Sequence, residues 1–192
     1  MLETGTILRL RRAFPSSIAA EVDAALAVVP RGSNEPTDRD IGPVRVAGEV
    51  VHIPSRIYSP EPPVEMLDAL DNGVRTVLTC LYTRHHDGHV REKHLRGVIS
   101  SSADWVPPFV VQLLGEYVVE VHRVIESNLD CLGQQSYARF VGENLAFMEL
   151  TKQRVISYWN CYFKRVTSKV QDHGAFRVLE ALESGQLAGC IA

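Results

Sequence analysis

The 192-residue sequence lacks the patterns that mark the commonest catalytic and ligand-binding sites. It contains no glycine-rich phosphate loop, no dinucleotide-binding glycine pattern and no nucleophile elbow. It has four cysteines, Cys80, Cys131, Cys161 and Cys190, which are far apart and form no CxxC. This spacing excludes the usual zinc and redox motifs and predicts reduced thiols that are mostly packed in the protein.

The sequence also lacks an excess of charge and a long hydrophobic run. Its net charge of −3 argues against a nucleic-acid-binding protein held by bulk charge, which leaves a local basic patch as the one route to such binding. The most apolar run, residues 106–114, is about half the length of a membrane-spanning helix, so we predict no membrane segment. The first twelve residues carry arginines but no apolar core of a secretion signal, which favours a cytoplasmic protein.

Composition changes along the chain predict three segments. Residues 1–30 form an N-terminal helical segment, and residues 31–43, with the sequence RGSNEPTDRDIGP, form a flexible loop. Residues 44–192 form a β-hairpin followed by a helical domain. The hairpin pairs residues 44–46 with residues 49–53 around a tight turn at Ala47-Gly48.

Beyond residue 64 the apolar residues recur at helical spacing, and no further strand is indicated. We therefore predict a mainly α fold, a helical bundle or a short α-solenoid with a small N-terminal β-hairpin. One long helix is expected to run from Pro107 to about Leu129, and a second from after Ser136 through Tyr162. The 4-3 apolar spacing of the second favours packing against the first and leaves a homodimer open.

A turn rich in histidine separates two of the predicted helices. Its chemistry-bearing residues are His85, His86, Asp87 and His89. In a structural interpretation Asp87 or Gly88 caps the following helix, and His94 is a core histidine with one hydrogen bond.

Neutral imidazole and carboxylate groups are also ligands for zinc, manganese or iron. The His86-Asp87 pair at the end of an apolar helix, with His52 upstream and Asp104 or Asp130 downstream, resembles the helical HD-domain phosphohydrolases. The resemblance implies that His52, His86, Asp87 and one later aspartate hold a divalent metal that activates water on a phosphoester. Such a metal is the one cofactor that the sequence leaves open.

The same stretch, LYTRHHDGHVREKHLRGVI, lies within residues 74–99 and resembles one helical pair of a HEAT-type repeat. In those repeats an aspartate before an apolar-Arg step starts the second helix. The resemblance implies stacked helix pairs and a protein-binding surface.

Two further groups of residues have charged side chains at helical spacing. Glu116 and Glu120 share a polar stripe with Gln112, which predicts a solvated helix face, and only an approach by Glu143 would make a buried carboxylate cluster. Residues 152–169 contain five basic residues and no acidic one, interleaved with aromatic residues. That composition is typical of single-strand nucleic-acid platforms, but the apolar spacing places Tyr158 and Tyr162 in the packed core.

These patterns favour a cytoplasmic, non-enzymatic protein–protein interaction module that binds through a basic and histidine-rich surface. The alternatives are the metal-dependent phosphohydrolase at the histidine turn and, third, an RNA or anionic-ligand binder. The candidate binding residues are His85, His86, Asp87, His89, Arg91, Lys164 and Arg165, and the candidate metal ligands are His52, His86 and Asp87.

Overall fold

The structure, a computed structural model, describes residues 2–36 and 40–185, apart from the side chain of Asp40. Its internal contacts divide the chain into two compact units, Met1–Val98 and Ile99–Ala192. The fold is mainly α with one small N-terminal hairpin, which confirms the predicted fold class.

The N-terminal unit holds five α-helices and the hairpin among its described residues. In chain order they are α1 (Thr4–Arg11), α2 (Ala19–Val28), β1 (Asp40–Val46), β2 (Glu49–Pro54), α3 (Val64–Asp68), α4 (Asn72–Tyr82) and α5 (Gly88–Val98). α1 lies within residues 1–30, the segment expected to be helical, and α4 begins at Asn72.

The C-terminal unit contains only helices and loops in its described residues. Its elements are α6 (Pro107–Leu114), α7 (Val119–Glu126), α8 (Leu129–Leu132), α9 (Gln135–Glu143), α10 (Leu145–Tyr158), a π-helical turn (Trp159–Phe163) and α11 (Gly174–Glu183). All eight residues of α6 are buried, and α6 contacts α7, α9, α10 and α11. Because a helix that is apolar on every side must be enclosed, α6 forms the centre of this unit.

The hairpin turn forms where the sequence predicted it, but β1 begins at Asp40, within the segment 31–43 that was expected to be a loop. Ala47 and Gly48 both have positive φ angles, 50° and 82°, as a two-residue hairpin turn requires. Val44 pairs with Val51 in an antiparallel register, and both side chains are buried. The N–H of His52 donates to the carbonyl oxygen of Arg12 at 2.6 Å, which ties β2 to the end of α1.

The core of the N-terminal unit lies between α2, α4 and α5. α4 buries Val77, Leu78 and Leu81 at helical spacing, and α5 buries Leu95 and Val98. These are the two helices that flank the histidine turn, and they contact each other closely. The similarity of this pair to a HEAT-type repeat stays a prediction.

The long helix expected from Pro107 to about Leu129 is interrupted. α6 ends at Gly115, and Val118 is extended before α7 begins. A Cβ atom added at Gly115 would lie 3.4 Å from side-chain atoms of Thr151 and Arg154, so this glycine allows the break to approach α10 closely.

The second long helix is interrupted at Asn144, which has φ −132° and ψ 42°. Its side-chain amide donates to the carbonyl oxygen of Phe140 at 2.8 Å, and the Thr151 hydroxyl donates to that of Phe147 at 2.8 Å. Both residues are buried, and both have a hydrogen-bond partner. The last carbonyl groups of a helix have no backbone N–H donor within that helix, and the Asn144 side chain supplies the donor for the Phe140 carbonyl oxygen near the end of α9.

The chain divides at a position that the sequence did not indicate, between Val98 and Ile99. The predicted segments 1–30, 31–43 and 44–192 stay predictions. Cys80 is buried and Cys131 is half-buried, whereas Cys161 is exposed; Cys190 lies outside the described residues. None of the helices in the described ranges has the length and apolar character needed to cross a membrane.

Candidate functional site

Asp87 caps α5 at the histidine turn. Its carboxylate accepts a hydrogen bond from the His89 N–H at 2.8 Å, and its carbonyl oxygen accepts one from the Arg91 N–H at 3.2 Å. The bond from His89 holds the pKa of Asp87 below its usual value. This is the cap role that the structural interpretation gave to Asp87.

His85 is buried and holds the turn against the segment that follows β2. The Asp87 N–H donates to His85 Nδ1 at 3.2 Å, and the His86 N–H donates to the Ile57 carbonyl oxygen at 3.0 Å. The N–H of Ile57 in turn donates to the Arg84 carbonyl oxygen at 2.9 Å. Burial, followed by the neighbouring His86, lowers the pKa of His85, so this imidazole is neutral at pH 7 and accepts through Nδ1.

Two buried arginines satisfy carbonyl groups in and around the turn. Arg91, one of the candidate binding residues, is only 2% exposed. Its guanidinium donates to the carbonyl oxygens of His85 at 2.7 Å and His86 at 2.9 Å. Arg84 donates to the carbonyl oxygen of Ser55 at 3.0 Å. An irregular turn leaves carbonyl groups that no helix satisfies, and these arginines provide the donors.

His94, the core histidine, has the hydrogen-bond partner that the sequence required. Its Nε2 lies 2.7 Å from Glu61 Oε1, and its ring stacks on Tyr82 with centroids 5.0 Å apart. Burial lowers the pKa of His94, and the hydrogen bond with Glu61 opposes that effect. Burial raises the pKa of Glu61, but the bonds from Lys93 and His94 outweigh it and the pKa is lowered overall.

The exposed part of the turn consists of His86, Asp87 and His89. The His86 ring stacks on Tyr58 with centroids 5.1 Å apart. His52 lies elsewhere in the unit, in the wall of a cavity beside α1. Within residues 2–36 and 40–185 no three His, Cys, Asp or Glu side chains are placed to hold a metal ion, so His52, His86 and Asp87 do not form such a group.

A second group of aromatic residues lies on the C-terminal unit, where α10 passes into the π-helical turn. Trp159 is buried, and its Nε1 donates to Thr167 Oγ1 at 2.9 Å, which folds the following segment back against the turn. The extra residue of a π-helical turn changes which side chains face inward, and such turns are frequent at functional sites. Tyr162 lies in this turn and is exposed.

Three tyrosines form a cluster at this position. The ring of Tyr117 lies 5.8 Å from those of Tyr158 and Tyr162, and the last two are stacked 6.1 Å apart. Tyr117 is 54% exposed and Tyr162 is 61% exposed. Tyr158 is half-buried. The prediction that Tyr158 and Tyr162 belong to the packed core is therefore wrong for Tyr162.

Lys164 and Arg165 lie next to this cluster and are exposed. They line a depression of about 520 Å³ together with Asn160, Cys161 and Tyr162. The Lys164 ammonium lies 5.7 Å from the centre of the Trp159 ring. We call the surface formed by Tyr117, Tyr158, Tyr162, Lys164 and Arg165 the tyrosine surface.

Sequence reasoning missed the tyrosine surface because its three rings come from two separate regions of the chain. Tyr117 lies in the break between α6 and α7, which was expected to be helical. The only local signals were Gly115, which ends α6, and the absence of acidic residues from 152 to 169.

The carboxylate stripe of the same unit is more buried than expected. Gln112 and Glu116 are 5% and 6% exposed, so the predicted solvated face is wrong at these two positions, whereas Glu120 is exposed as expected. Glu120 lies in the first turn of α7, whereas Gln112 lies in the enclosed α6 and Glu116 directly follows the end of that helix.

His122 is the most strongly perturbed histidine of this unit. It is buried on α7, and its ring lies 5.4 Å from that of His173. Burial, followed by the neighbouring His173, lowers the pKa of His122 to about 4. His122 is therefore neutral at pH 7 and is packed as part of the core.

Comparisons with protein-family models, with curated proteins and with solved structures found no match to this chain. Its function must therefore be inferred from the two sites themselves. At the histidine turn His85 and the two arginines bind within the protein while His86, Asp87 and His89 are exposed, whereas the tyrosine surface exposes both of its cations and two of its three rings.

Proposed function

We propose that this chain is a cytoplasmic protein–protein interaction module and that the tyrosine surface is its docking face. The observation that carries the proposal is the exposure of Tyr117 and Tyr162 in direct contact with each other. Large aromatic side chains of a soluble protein are usually buried, and exposed clusters mark interaction sites. Tyrosine and arginine are among the residue types most enriched at the positions that dominate binding energy in protein interfaces.

The cations beside the tyrosines specify the chemistry of the partner. Lys164 and Arg165 form no ion pair with any residue in the described part of the chain, whereas Lys152, in the same basic stretch, is paired with Glu183 at 2.8 Å. An acidic segment with one or two apolar side chains complements this surface, with carboxylates facing the cations and the apolar groups lying on the rings.

The packing of the rings favours a protein over single-stranded RNA. RNA platforms present separate ring faces on which successive bases stack. In this protein Tyr158 and Tyr162 stack on each other and Tyr117 contacts both, so the three rings form one cluster rather than a row of separate faces.

A peptide-display selection on the purified chain tests the proposal. We expect it to enrich peptides that combine Asp or Glu with Leu, Met or an aromatic residue. Binding of such a synthetic peptide, measured by fluorescence anisotropy, should weaken about tenfold or more in Tyr162→Ser and in the Lys164→Ala/Arg165→Ala double variant.

Leu145→Ser is the matched control, because Leu145 is an apolar residue of the same unit that is 70% exposed but lies at the opposite end of α10. It should leave binding unchanged. The proposal is overturned if no acidic peptide is enriched, if both charge and ring variants bind normally, or if an oligouridine probe binds through these residues and the peptides do not. Self-association that depends on Tyr162 would identify a second copy of the chain as the occupant and contradict the acidic partner.

A further inference from the structure

A cavity of about 430 Å³ lies in the N-terminal unit between α1, α2 and β2. This volume lies within the range of small-molecule sites in proteins. The cavity belongs to the unit that does not carry the tyrosine surface, so a ligand bound in it is independent of the proposed function.

The cavity has an apolar floor and an apolar rim. Phe14 and Val22 line the floor and are almost completely buried, whereas Leu8 and Val50 line the rim and are 56% and 45% exposed. Exposed aliphatic side chains facing a cavity lose contact with water when an apolar ligand enters. The walls therefore favour a ligand with an apolar body.

Two of the charged residues that line the cavity are already engaged. The Arg11 guanidinium pairs with Asp23. The Glu49 carboxylate accepts hydrogen bonds from the backbone N–H of Ser16 at 3.0 Å and from its hydroxyl at 3.1 Å. Neither side chain has its full charge available for a ligand.

Arg12 differs from Arg11 in this respect. Its side chain is exposed, and it has no hydrogen bond or ion pair with any described residue. Its backbone is fixed, because its carbonyl oxygen accepts the hydrogen bond from His52 in β2. A guanidinium on a fixed backbone at the edge of an apolar cavity is suited to bind a planar or tetrahedral anion through two parallel N–H groups.

We propose that this cavity binds a small molecule with an apolar body and a single anionic head, a carboxylate or a phosphate monoester, and that Arg12 binds the head. The apolar body lies against Phe14 and Val22, between Leu8 and Val50.

In the test, the full chain is titrated separately with octanoate, octyl phosphate, octanol and octylammonium at low salt. Binding is detected by two-dimensional amide NMR. Octanoate or octyl phosphate should bind at one saturable site and shift amide signals of α1 and β2. Octanol and octylammonium should bind about tenfold more weakly or not at all. Which of the two anions binds more tightly distinguishes a carboxylate ligand from a phosphate ester.

Arg12→Gln should weaken octanoate binding about tenfold, whereas Arg75→Gln, which removes an exposed arginine of the same unit that does not line the cavity, should change it less than about twofold. Val50→Glu, a change at an exposed rim position, should also weaken it. The proposal is overturned if neither anion binds the folded wild-type protein, if octanol binds as well as octanoate, or if Arg12→Gln binds octanoate normally.

Discussion

The histidine turn of the N-terminal unit and the tyrosine surface of the C-terminal unit both combine cations with aromatic rings. In the turn, Arg91 is buried and donates to two backbone carbonyl groups. On the tyrosine surface, Arg165 is exposed to solvent. The same residue type therefore serves folding in one region and is available for binding in the other.

The difference follows from the backbone. The histidine turn is irregular, so its carbonyl groups need donors from side chains. The π-helical turn makes backbone hydrogen bonds of its own; for example, the Lys164 N–H donates to the Trp159 carbonyl oxygen at 2.9 Å. Basic side chains near such a backbone can point to solvent.

The largest effect is expected from Arg91→Ala. The change leaves the carbonyl oxygens of His85 and His86 buried without their donor and opens a cavity, so the free energy of unfolding of the N-terminal unit should fall by about 3 kcal/mol or more. Amide hydrogen exchange of α5 measures the change in that unit directly. The matched Arg165→Ala variant should change stability by less than about 0.5 kcal/mol. If both variants lowered the free energy of unfolding by equally small amounts, the buried arginine of the histidine turn would not differ from the exposed arginine of the tyrosine surface in its contribution to stability.

Acid should destabilise the C-terminal unit through His122. The unfolded histidine binds a proton below pH 6.5, whereas the folded one, with a pKa of about 4, does not, so stability is complete above pH 6.5 and falls as the pH decreases towards 4. The loss should reach about 3 kcal/mol at pH 4. Burial and His173 drive the shift, while Glu116 and Glu126 oppose it.

Urea unfolding followed by tryptophan fluorescence isolates this effect, because both tryptophans, Trp105 and Trp159, lie in the C-terminal unit. The His122→Phe variant should show a flatter dependence of the midpoint on pH between 6.5 and 4. His89→Gln, at an exposed position of the histidine turn, should retain the dependence of the wild type. A wild-type profile that is flat over this range would disprove the role of His122.

Removing the helix cap at the turn should have an intermediate effect. Asp87→Ala loses the hydrogen bond from the His89 N–H and should cost about 1 kcal/mol of unfolding free energy, measured by urea unfolding. Asp87→Ser, which retains a capping oxygen, should recover most of the loss. If Ser and Ala behave alike, the carboxylate acts at this position through something other than capping, and a binding role for Asp87 gains support.

A small effect on stability is expected from Tyr162→Ser. Because this ring is mostly exposed, the free energy of unfolding should change by less than about 1 kcal/mol, even though binding of an acidic peptide is lost. Urea unfolding and anisotropy on the same sample separate the two quantities. A large loss of stability would show that the tyrosines pack for folding, as the helical spacing first indicated.

Several elements were predictable because their causes are local. The turn follows from Gly48, which adopts a positive φ at no steric cost, between two apolar strand patterns, and α4 and α5 follow from apolar residues at helical spacing on either side of Asp87. The cap role of Asp87 and the need of His94 for a partner are local as well.

The two interrupted helices were not predictable from spacing, since apolar periodicity continues across both breaks. Gly115 and Asn144 are tolerated inside many helices, and only the close approach of Thr151 and Arg154 to Gly115 shows why the chain breaks there. The partner of His94 is equally non-local, because Glu61 lies 33 positions away.

The sequence by itself determined the secondary-structure class, the hairpin, the helix pair around the histidine turn and the absence of familiar catalytic motifs, all of which depend on residues close together in the chain. The tertiary structure alone decided which charged and aromatic side chains are buried. Arg91 turns inward because distant packing encloses the turn, and Tyr162 lies at the surface in the π-helical turn that follows α10. Burial is a property of contacts between distant segments, and one-dimensional spacing does not specify them.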